Sequence, residues 1–238
     1  MHREATTTAE YTLLDQQLMQ RATRYFAWQA ELAKQQLGRR VIEVGCGTGN
    51  FTRHLVDRDL VVGLDIVDGC VEQSRARFDA HSHMQFRCLD VQDSEFLALK
   101  SLQPDSVVCL NVLEHVDDYL AALRNLRAAL EPGGRAIVLV PHDQAIYGSL
   151  DKALGHYRRY AAGELEGRMQ QAGFQVERTL AFNRITRPGW RLNGQLLRRQ
   201  TFSRFQLGLF DVLTPVWRRI DRLLPWPAVS IIAIGVAR

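Results

Sequence analysis

The stretch VIEVGCGTGNF, residues 41–51, decides the reading of the chain. Val41, Ile42 and Val44 form a short run rich in β-branched residues, which reads as a strand. Gly45, Gly47 and Gly49 follow, and a helix is expected to begin near Asn50. Small residues at such a corner let the backbone turn tightly and let a ligand approach the amides. A helix beginning there would offer free N–H groups to the polar atoms of that ligand. A dinucleotide fingerprint needs its third glycine at position 50, where this chain has Asn50. Glu43 lies two residues before the first glycine. A pyrophosphate would be repelled by that carboxylate, whereas a ligand carrying an ammonium or sulfonium would be attracted.

Working outward, similar apolar runs recur at 61–64, 85–89, 106–110 and 136–140, with helical patterns at 50–58, 69–79 and 117–130 between them. Strands alternating with helices at this spacing imply βαβ units, right-handed crossovers and a mostly parallel, doubly wound sheet of α/β class. A helix is expected over 163–172, closed by Gly173, with further strands at 174–180 and 229–236. Upstream, residues 11–37 carry apolar positions at helical spacing and read as one helix ended by Gly38. About forty residues separate the last two strands, far beyond a hairpin loop of ~2–5 residues. Thr214 and Pro215 there read as a helix N-cap and first residue. Val216, Ile220 and Leu223 would then share a face, with Arg218, Arg219 and Arg222 elsewhere. The chain 1–238 is expected to be one domain. It has a helical cap at 1–39, a Rossmann-like core at 40–182 and 226–238, and a basic amphipathic insertion at 183–225.

Two acids follow the loop at strand ends. Asp65 ends VVGLDI and can accept both hydroxyls of a ribose; Asp90 ends FRCLDV and can accept an adenine amino group. With these in place, the sequence resembles the class I S-adenosylmethionine-dependent methyltransferases. Five landmarks match in order: the loop from Glu43 to Gly49, Asp65, Asp90-Val91, the segment Asn111 to Val116 (NVLEHV), and Leu130 to Gly134 (LEPGG). The resemblance covers roughly residues 20–182 and the final strand. It implies a seven-stranded sheet with an antiparallel last strand, S-adenosylmethionine as methyl donor and S-adenosylhomocysteine as product. The donor-binding residues it implies are Glu43, Gly45, Cys46, Gly47, Gly49, Asn50, Asp65, Ile66, Asp90, Val91, Asn111, Val112 and His115.

Methyl transfer from a sulfonium is an in-line displacement at carbon. Bringing the nucleophile into line can supply ~7–11 kcal/mol of the barrier. A general base helps where the acceptor has a proton to lose. Acceptor groups should lie beyond the carboxyl ends of the strands. His142 follows the fifth strand, and His156, Tyr157, Arg158, Arg159 and Tyr160 form a GHYRRY stretch similar to one in bacterial methyltransferases of lipid, glycan or secondary-metabolite assembly. The catalytic candidates are His142 or His156 for a proton, Tyr157 and Tyr160 as pocket walls, and Arg158 and Arg159 for an acceptor carboxylate or phosphate. A polar loop that merely supports the next helix is the plainer alternative. Tyr25 and Trp28 on the N-terminal helix are placed either to face the cofactor or to pack in the core.

Of 238 residues, 46% are hydrophobic, ample for a sizeable core. No apolar run reaches the ~18 residues of a membrane span, and the first residues lack the apolar segment of a secretory signal. Cys46, Cys70, Cys88 and Cys109 stand apart, outside any C-x-x-C or Cys/His spacing, so no metal site or disulfide framework is expected and a reducing cytoplasm fits. Residues 183–225 hold nine Arg against two Asp, in a chain whose net charge is only +4, so the basicity is local. With Trp190, Phe202, Phe205, Leu209, Phe210 and Trp217 interleaved, that segment reads as a lid over an amphiphilic acceptor that also touches anionic lipid on the inner face of the membrane. A nucleic-acid patch is disfavoured, and a solvated packing or dimer surface is the plain alternative. The function expected is methyl transfer to oxygen or carbon of a small-molecule or lipid-like acceptor. An RNA or protein methyltransferase, or a non-catalytic adenosyl-binding module, stands as the alternative.

Overall fold

The computed structural model describes residues 8–238, with side chains from Leu13 onward. The first seven residues of the expected cap lie outside the described residues. Seven strands form one sheet: β1 (Arg40–Val44), β2 (Leu60–Asp65), β3 (Met84–Cys88), β4 (Ser106–Leu110), β5 (Arg135–Pro141), β6 (Phe174–Phe182) and β7 (Ser230–Ala237). Their order is β3-β2-β1-β4-β5-β7-β6. β1 to β5 run parallel, and β7 lies antiparallel to both neighbours, as expected for a reversed last strand.

A parallel sheet is covered on both faces, and alternate residues serve opposite layers. Ile42, Val62, Val107 and Ala136 pack to one side, with Leu123 and Leu126 of α4 (Tyr119–Ala129) and Leu165 and Met169 of α6 (Ala162–Gln171). Val41, Val61, Val108 and Ile137 pack to the other, with Trp28, Ala30 and Ala33 of α2 (Thr23–Lys34) and Val71 of α3 (Asp68–Arg77). The strand ends at positions 44, 65, 88 and 110 all lie at one edge, which becomes the floor of the site.

Three local expectations are corrected. The single helix over 11–37 is two, α1 (Thr8–Met19) and α2. The break holds because Asp211 Oδ1, from 187 residues away, accepts the Arg24 and Tyr25 amides at 2.8 and 3.0 Å and so caps α2. The stretch 50–58 contains only a 3₁₀ turn, Thr52–His54. The amides of His54, Leu55 and Arg58 bond three residues back, so no regular helix N-terminus follows the glycine loop. Thr214 and Pro215 lie inside α8 (Arg204–Ile220), which instead starts at Ser203 through a capping box with Gln206. Thr214 is buried, whereas Val216 and Leu223 are exposed, so the expected apolar face points to solvent. The insertion also contains α7 (Arg187–Trp190), continued by a π-helical turn over Arg191–Leu196. A short helix, α5 (Ser149–Leu154), follows β5.

Candidate active site

The glycine corner is a preformed cradle. Gly45, Gly47 and Gly49 have φ of +75°, +52° and +79°, the left-handed region that favours glycine. A Cβ on Gly45 would stand 2.3 Å from Val112 Cγ2. The corner is tied to β2: the Gly45 and Cys46 amides donate to the Leu64 carbonyl, and the Gly47 amide donates to Asp65 Oδ2 at 2.8 Å. Asp65 Oδ1 accepts the Val67 amide at 2.9 Å, and burial raises its pKa. Asp90 Oδ1 accepts the Gln92 amide.

A cavity of about 1020 Å³ opens above this edge. Its donor-side lobe is lined by Glu43, Gly45, Cys46, Asn50, Asp65, Ile66, Asp90, Val91, Asn111, Val112 and His115, which are eleven of the thirteen expected donor-binding residues. Gly47 and Gly49 shape the corner from behind without lining it. Glu43 is buried, its Oε2 has no hydrogen-bond partner among the described residues, and burial pushes its pKa up to about 8. An orphaned carboxylate oxygen at the wall of a cavity fits a ligand that brings positive charge. Ile66 is 66% exposed, an apolar plate at the strand end suited to a base ring. From α1, Gln16 closes on the loop, where its backbone and side-chain oxygens accept from Asn50 Nδ2 at 3.0 and 3.3 Å. These features fit an adenosyl group bearing a cationic centre.

The second lobe is roofed by the N-terminal helices and the insertion. Tyr25, Phe26, Trp190, Phe202, Phe210 and Trp217 line it. Trp28 does not; it packs in the core against Phe182 at 4.7 Å. Sequence reasoning missed two polar groups here. Gln29 Nε2 donates to Tyr25 Oη at 3.2 Å, while Gln29 Oε1 and Asn183 Oδ1 are buried without partners. Only tertiary packing brings residues 29 and 183 together.

Between the lobes, β4 ends at Asn111, whose φ of +54° turns the chain into a 3₁₀ turn, Leu113–His115. Asparagine tolerates that left-handed conformation better than most residues. The GHYRRY stretch braces this turn. The Tyr157 amide donates to the Glu114 carbonyl at 2.8 Å, Tyr160 Oη donates to the Leu113 carbonyl at 2.7 Å, and Arg158 reaches the Asp117 carbonyl at 3.1 Å. His156, Tyr157 and Arg159 line the cavity, but Arg158, Tyr160 and His142 do not. Arg158 faces outward over the Tyr119 ring, and Tyr160 is wholly buried. His142 Nδ1 donates to the Tyr160 carbonyl at 2.7 Å, tying this stretch to β5. These three are placed for support rather than for contact with an acceptor.

The hub of the bracing is Asp151, which sequence reasoning passed over. Its carboxylate accepts from His156 Nδ1 (3.0 Å), Arg159 Nε (2.8 Å), the Gly148 amide (2.9 Å) and Trp190 Nε1 (3.2 Å). Burial works to raise its pKa, yet His156 and Arg159 hold it below the ordinary carboxylate range. Arg159 Nη2 is buried without a partner. Glu114 is wholly buried with both oxygens unpartnered, and burial pushes its pKa up to about 7. Beside it, burial and the neighbouring His156 push His115 down to about 4.

Residues 16–179 match a family model described as a methyltransferase domain. A protein of Mycolicibacterium smegmatis named as an S-adenosylmethionine-dependent methyltransferase is 32% identical over 154 residues, covering 63% of this chain and 57% of that one. The ubiquinone biosynthesis O-methyltransferase of Bordetella avium is 31% identical over 109 residues, 45% of this chain and 44% of its own length. The chain thus spans about half the length of these curated relatives. Among solved structures, a chain from the complex of the Haloferax volcanii Trm112 methyltransferase activator with a methyltransferase superposes with a TM-score of 0.70 at 18% identity, over 98% of this chain and 99% of that one. The magnesium protoporphyrin IX methyltransferase of Synechocystis, with S-adenosylhomocysteine bound, gives 0.55 at 17% identity, over 100% and 90%. Those two likenesses show the same fold. With the family model spanning well over half of its residues, the chain belongs to the methyltransferase domain family.

Proposed function

We propose that the protein transfers the methyl group of S-adenosylmethionine to an oxygen or carbon of a small, largely apolar or amphiphilic acceptor. The observation that carries this is one cavity of about 1020 Å³ whose lining joins eleven of the expected donor-binding residues to the aromatic side chains of Tyr25, Phe26, Trp190, Phe202, Phe210 and Trp217. Bound S-adenosylmethionine supplies an electrophilic methyl carbon on a sulfonium sulfur. Glu43 favours that charge, Asp65 is placed to accept from the ribose hydroxyls and Asp90 from the adenine amino group, and Ile66 and Val91 flank the base. The aromatic roof excludes water and orients the acceptor. Gln29, Arg159 and Asn183 line the cavity and are the polar residues that would meet its oxygen-bearing groups. The similarity to a ubiquinone biosynthesis O-methyltransferase supports an acceptor of this kind.

Calorimetry should show one molar equivalent of donor bound, and product S-adenosylhomocysteine should form from a panel of phenols, carboxylic acids, isoprenoids and lipid-linked sugars. Absence of donor binding by the wild-type chain would overturn the reading.

The outward face of α8 supports an amphiphilic acceptor. Phe205, Leu209, Val212 and Val216 are exposed at helical spacing, beside Arg204 and Arg219. Such a face suits an anionic lipid surface. Among the described residues no helix is long and apolar enough to cross a membrane. Co-sedimentation with vesicles containing phosphatidylserine, weakened in Phe205→Glu, is the matching test.

A further inference from the structure

Against the cavity wall formed by His115 and His156 lies the buried Glu114, and donor binding does not explain the grouping of these three side chains. Glu114 is wholly buried with two unpartnered carboxylate oxygens. The rings of His115 and His156 stand beside it, centroids 4.9 Å apart and planes 77° to one another. One donor atom from each of the three lies within 4.8 Å of the other two.

Hydrogen bonding engages Nδ1 of both rings. His115 Nδ1 lies 3.3 Å from the Gly155 carbonyl, which can only accept. His156 Nδ1 lies 3.0 Å from Asp151, an ionised carboxylate that also only accepts. Both Nδ1 atoms therefore donate, leaving Nε2 of each ring as the nitrogen available to a ligand. The distance from His156 Nε2 to Glu114 Oε1 is 3.9 Å, too long for a hydrogen bond. Among the described residues, the Glu114 carboxyl group and the two imidazoles stand together with no hydrogen bond joining them. Arg159 pairs with Asp151 through Nε, and no hydrogen bond joins its unpartnered Nη2 to Glu114 among the described residues.

We propose that Glu114, His115 and His156 bind a divalent transition-metal cation such as Zn²⁺, Mn²⁺ or Co²⁺, with coordination positions left open toward the acceptor lobe. Two imidazoles and one carboxylate select borderline cations over Mg²⁺ or Ca²⁺, which take oxygen ligands. Three protein ligands with a vacant position are the pattern of reactive rather than structural sites. With bonds of about 2.0–2.1 Å, a tetrahedral site has edges of about 3.4 Å. The observed atoms lie within 4.8 Å of one another, up to about 1.4 Å wider than those edges, so the ring shift that closes the site falls to the exposed His115. Asp151 then acts as the outer partner that orients His156, a role such carboxylates fill at metal-bound histidines.

The catalytic meaning of the site rests on the proposed methyl transfer. Held at the open positions, an acceptor hydroxyl would be acidified, its proton leaving to water; its oxygen would then form the O–C bond as the C–S bond breaks, the sulfur keeping that electron pair in S-adenosylhomocysteine. Cation binding itself can be measured without turnover.

The metal-stripped full-length chain, titrated with Co²⁺, should bind one equivalent and develop a visible d–d absorption band. His115→Ala, which alters an exposed ring, and Glu114→Gln should each weaken binding by at least about 100-fold, and Asp151→Asn by about 10–100-fold. His83→Ala, which removes a surface histidine elsewhere, should change nothing. The proposal fails if no saturable binding occurs below about 1 mM Co²⁺. It fails equally if His115→Ala binds like wild type, a result that stands even if Glu114→Gln does not fold. Donor calorimetry on the same samples separates the two ideas. Intact donor binding without cobalt sinks only the metal site, whereas cobalt binding without donor binding sinks the transfer reading.

Discussion

The donor side of the cavity takes most of its walls from the carboxyl ends of four adjacent strands, β3, β2, β1 and β4, within residues 43–115, with Gln16 of α1 closing on the glycine loop. The acceptor-side lobe takes its walls from α2, the loop after β5, the insertion and the start of β7, pieces as far apart in sequence as Tyr25 and Ser230. The difference is one of physical origin. A strand end is fixed by the ladder around it, so a residue there has its position dictated by local pattern. The other lobe exists only after distant elements have packed, so its shape depends on tertiary contacts such as the Asp211 cap on α2. Perturbing the first lobe should abolish ligand binding while sparing the fold, and perturbing the second should loosen structure and acceptor binding together.

The most severe test is Gly45→Val. Position 45 has φ +75°, where a β-branched residue is strongly disfavoured, and even a Cβ meets Val112 at 2.3 Å. Donor binding is expected to fall by more than about 100-fold, from strain of roughly 1–3 kcal/mol plus the lost cradle. Circular dichroism should stay native-like. Donor affinity near wild type would show that the corner does not form the donor site.

Glu43 gives the next largest effect. With a pKa of about 8, it is mostly protonated in the empty protein at neutral pH. A cationic ligand selects the ionised form, so binding should release a proton, and affinity should drop about 50-fold between pH 8 and pH 6. Calorimetry in buffers of different ionisation enthalpy would count that proton, and Glu43→Gln should flatten the profile. The same shift bears on stability. A carboxyl whose folded pKa stands above its unfolded value near 4.5 favours the fold most at low pH. That contribution fades as pH rises from about 4.5 through 8. Glu114, pushed to about 7, acts in the same sense. A pH-independent donor affinity would remove Glu43 from the site.

A smaller loss is expected for Asp65→Asn. The carboxylate already accepts the Gly47 and Val67 amides, and an amide side chain keeps only one accepting oxygen. Donor binding should weaken about tenfold, the range of one charge-assisted hydrogen bond. No change would reassign Asp65 to loop support alone.

The contrast between the lobes also accounts for what the sequence made legible. Sheet content, the reversed β7, Glu43, Asp65 and Asp90 follow from alternation and from glycines at a strand end. The 50–58 stretch has helical periodicity yet folds as a 3₁₀ turn, because periodicity reports which residues face inward and not which carbonyl each amide reaches. Pro215 reads locally as a helix start, but a capping box at Ser203, twelve residues earlier, begins α8 and carries it through the proline. Of the GHYRRY stretch, sequence shows that it is polar and placed after β5. Which members face the cavity depends on how it wraps the Leu113–His115 turn, so His156 and Arg159 face in while Arg158 faces out. Glu114 and His156 are 42 positions apart, a separation at which no spacing rule for metal ligands applies.

The mildest test addresses the acceptor lobe through Asp211. This carboxylate is 4% exposed, caps α2 from α8 and stands 3.5 Å from Arg24 Nη1. Asp211→Ala removes a helix cap worth about 1–2 kcal/mol, and for a chain of this size Tm should drop by roughly 2–6 °C. Tyr25, whose amide loses its acceptor, lies 5.8 Å from Phe210 of α8, so the aromatic roof should loosen with the cap. The acceptor KM is then expected to rise a few-fold while the donor Kd stays unchanged, because no donor-lobe residue bonds to Asp211. If donor affinity fell as far as acceptor affinity, the two lobes would form one cooperative unit, and the division drawn from their strand-end and tertiary origins would not hold.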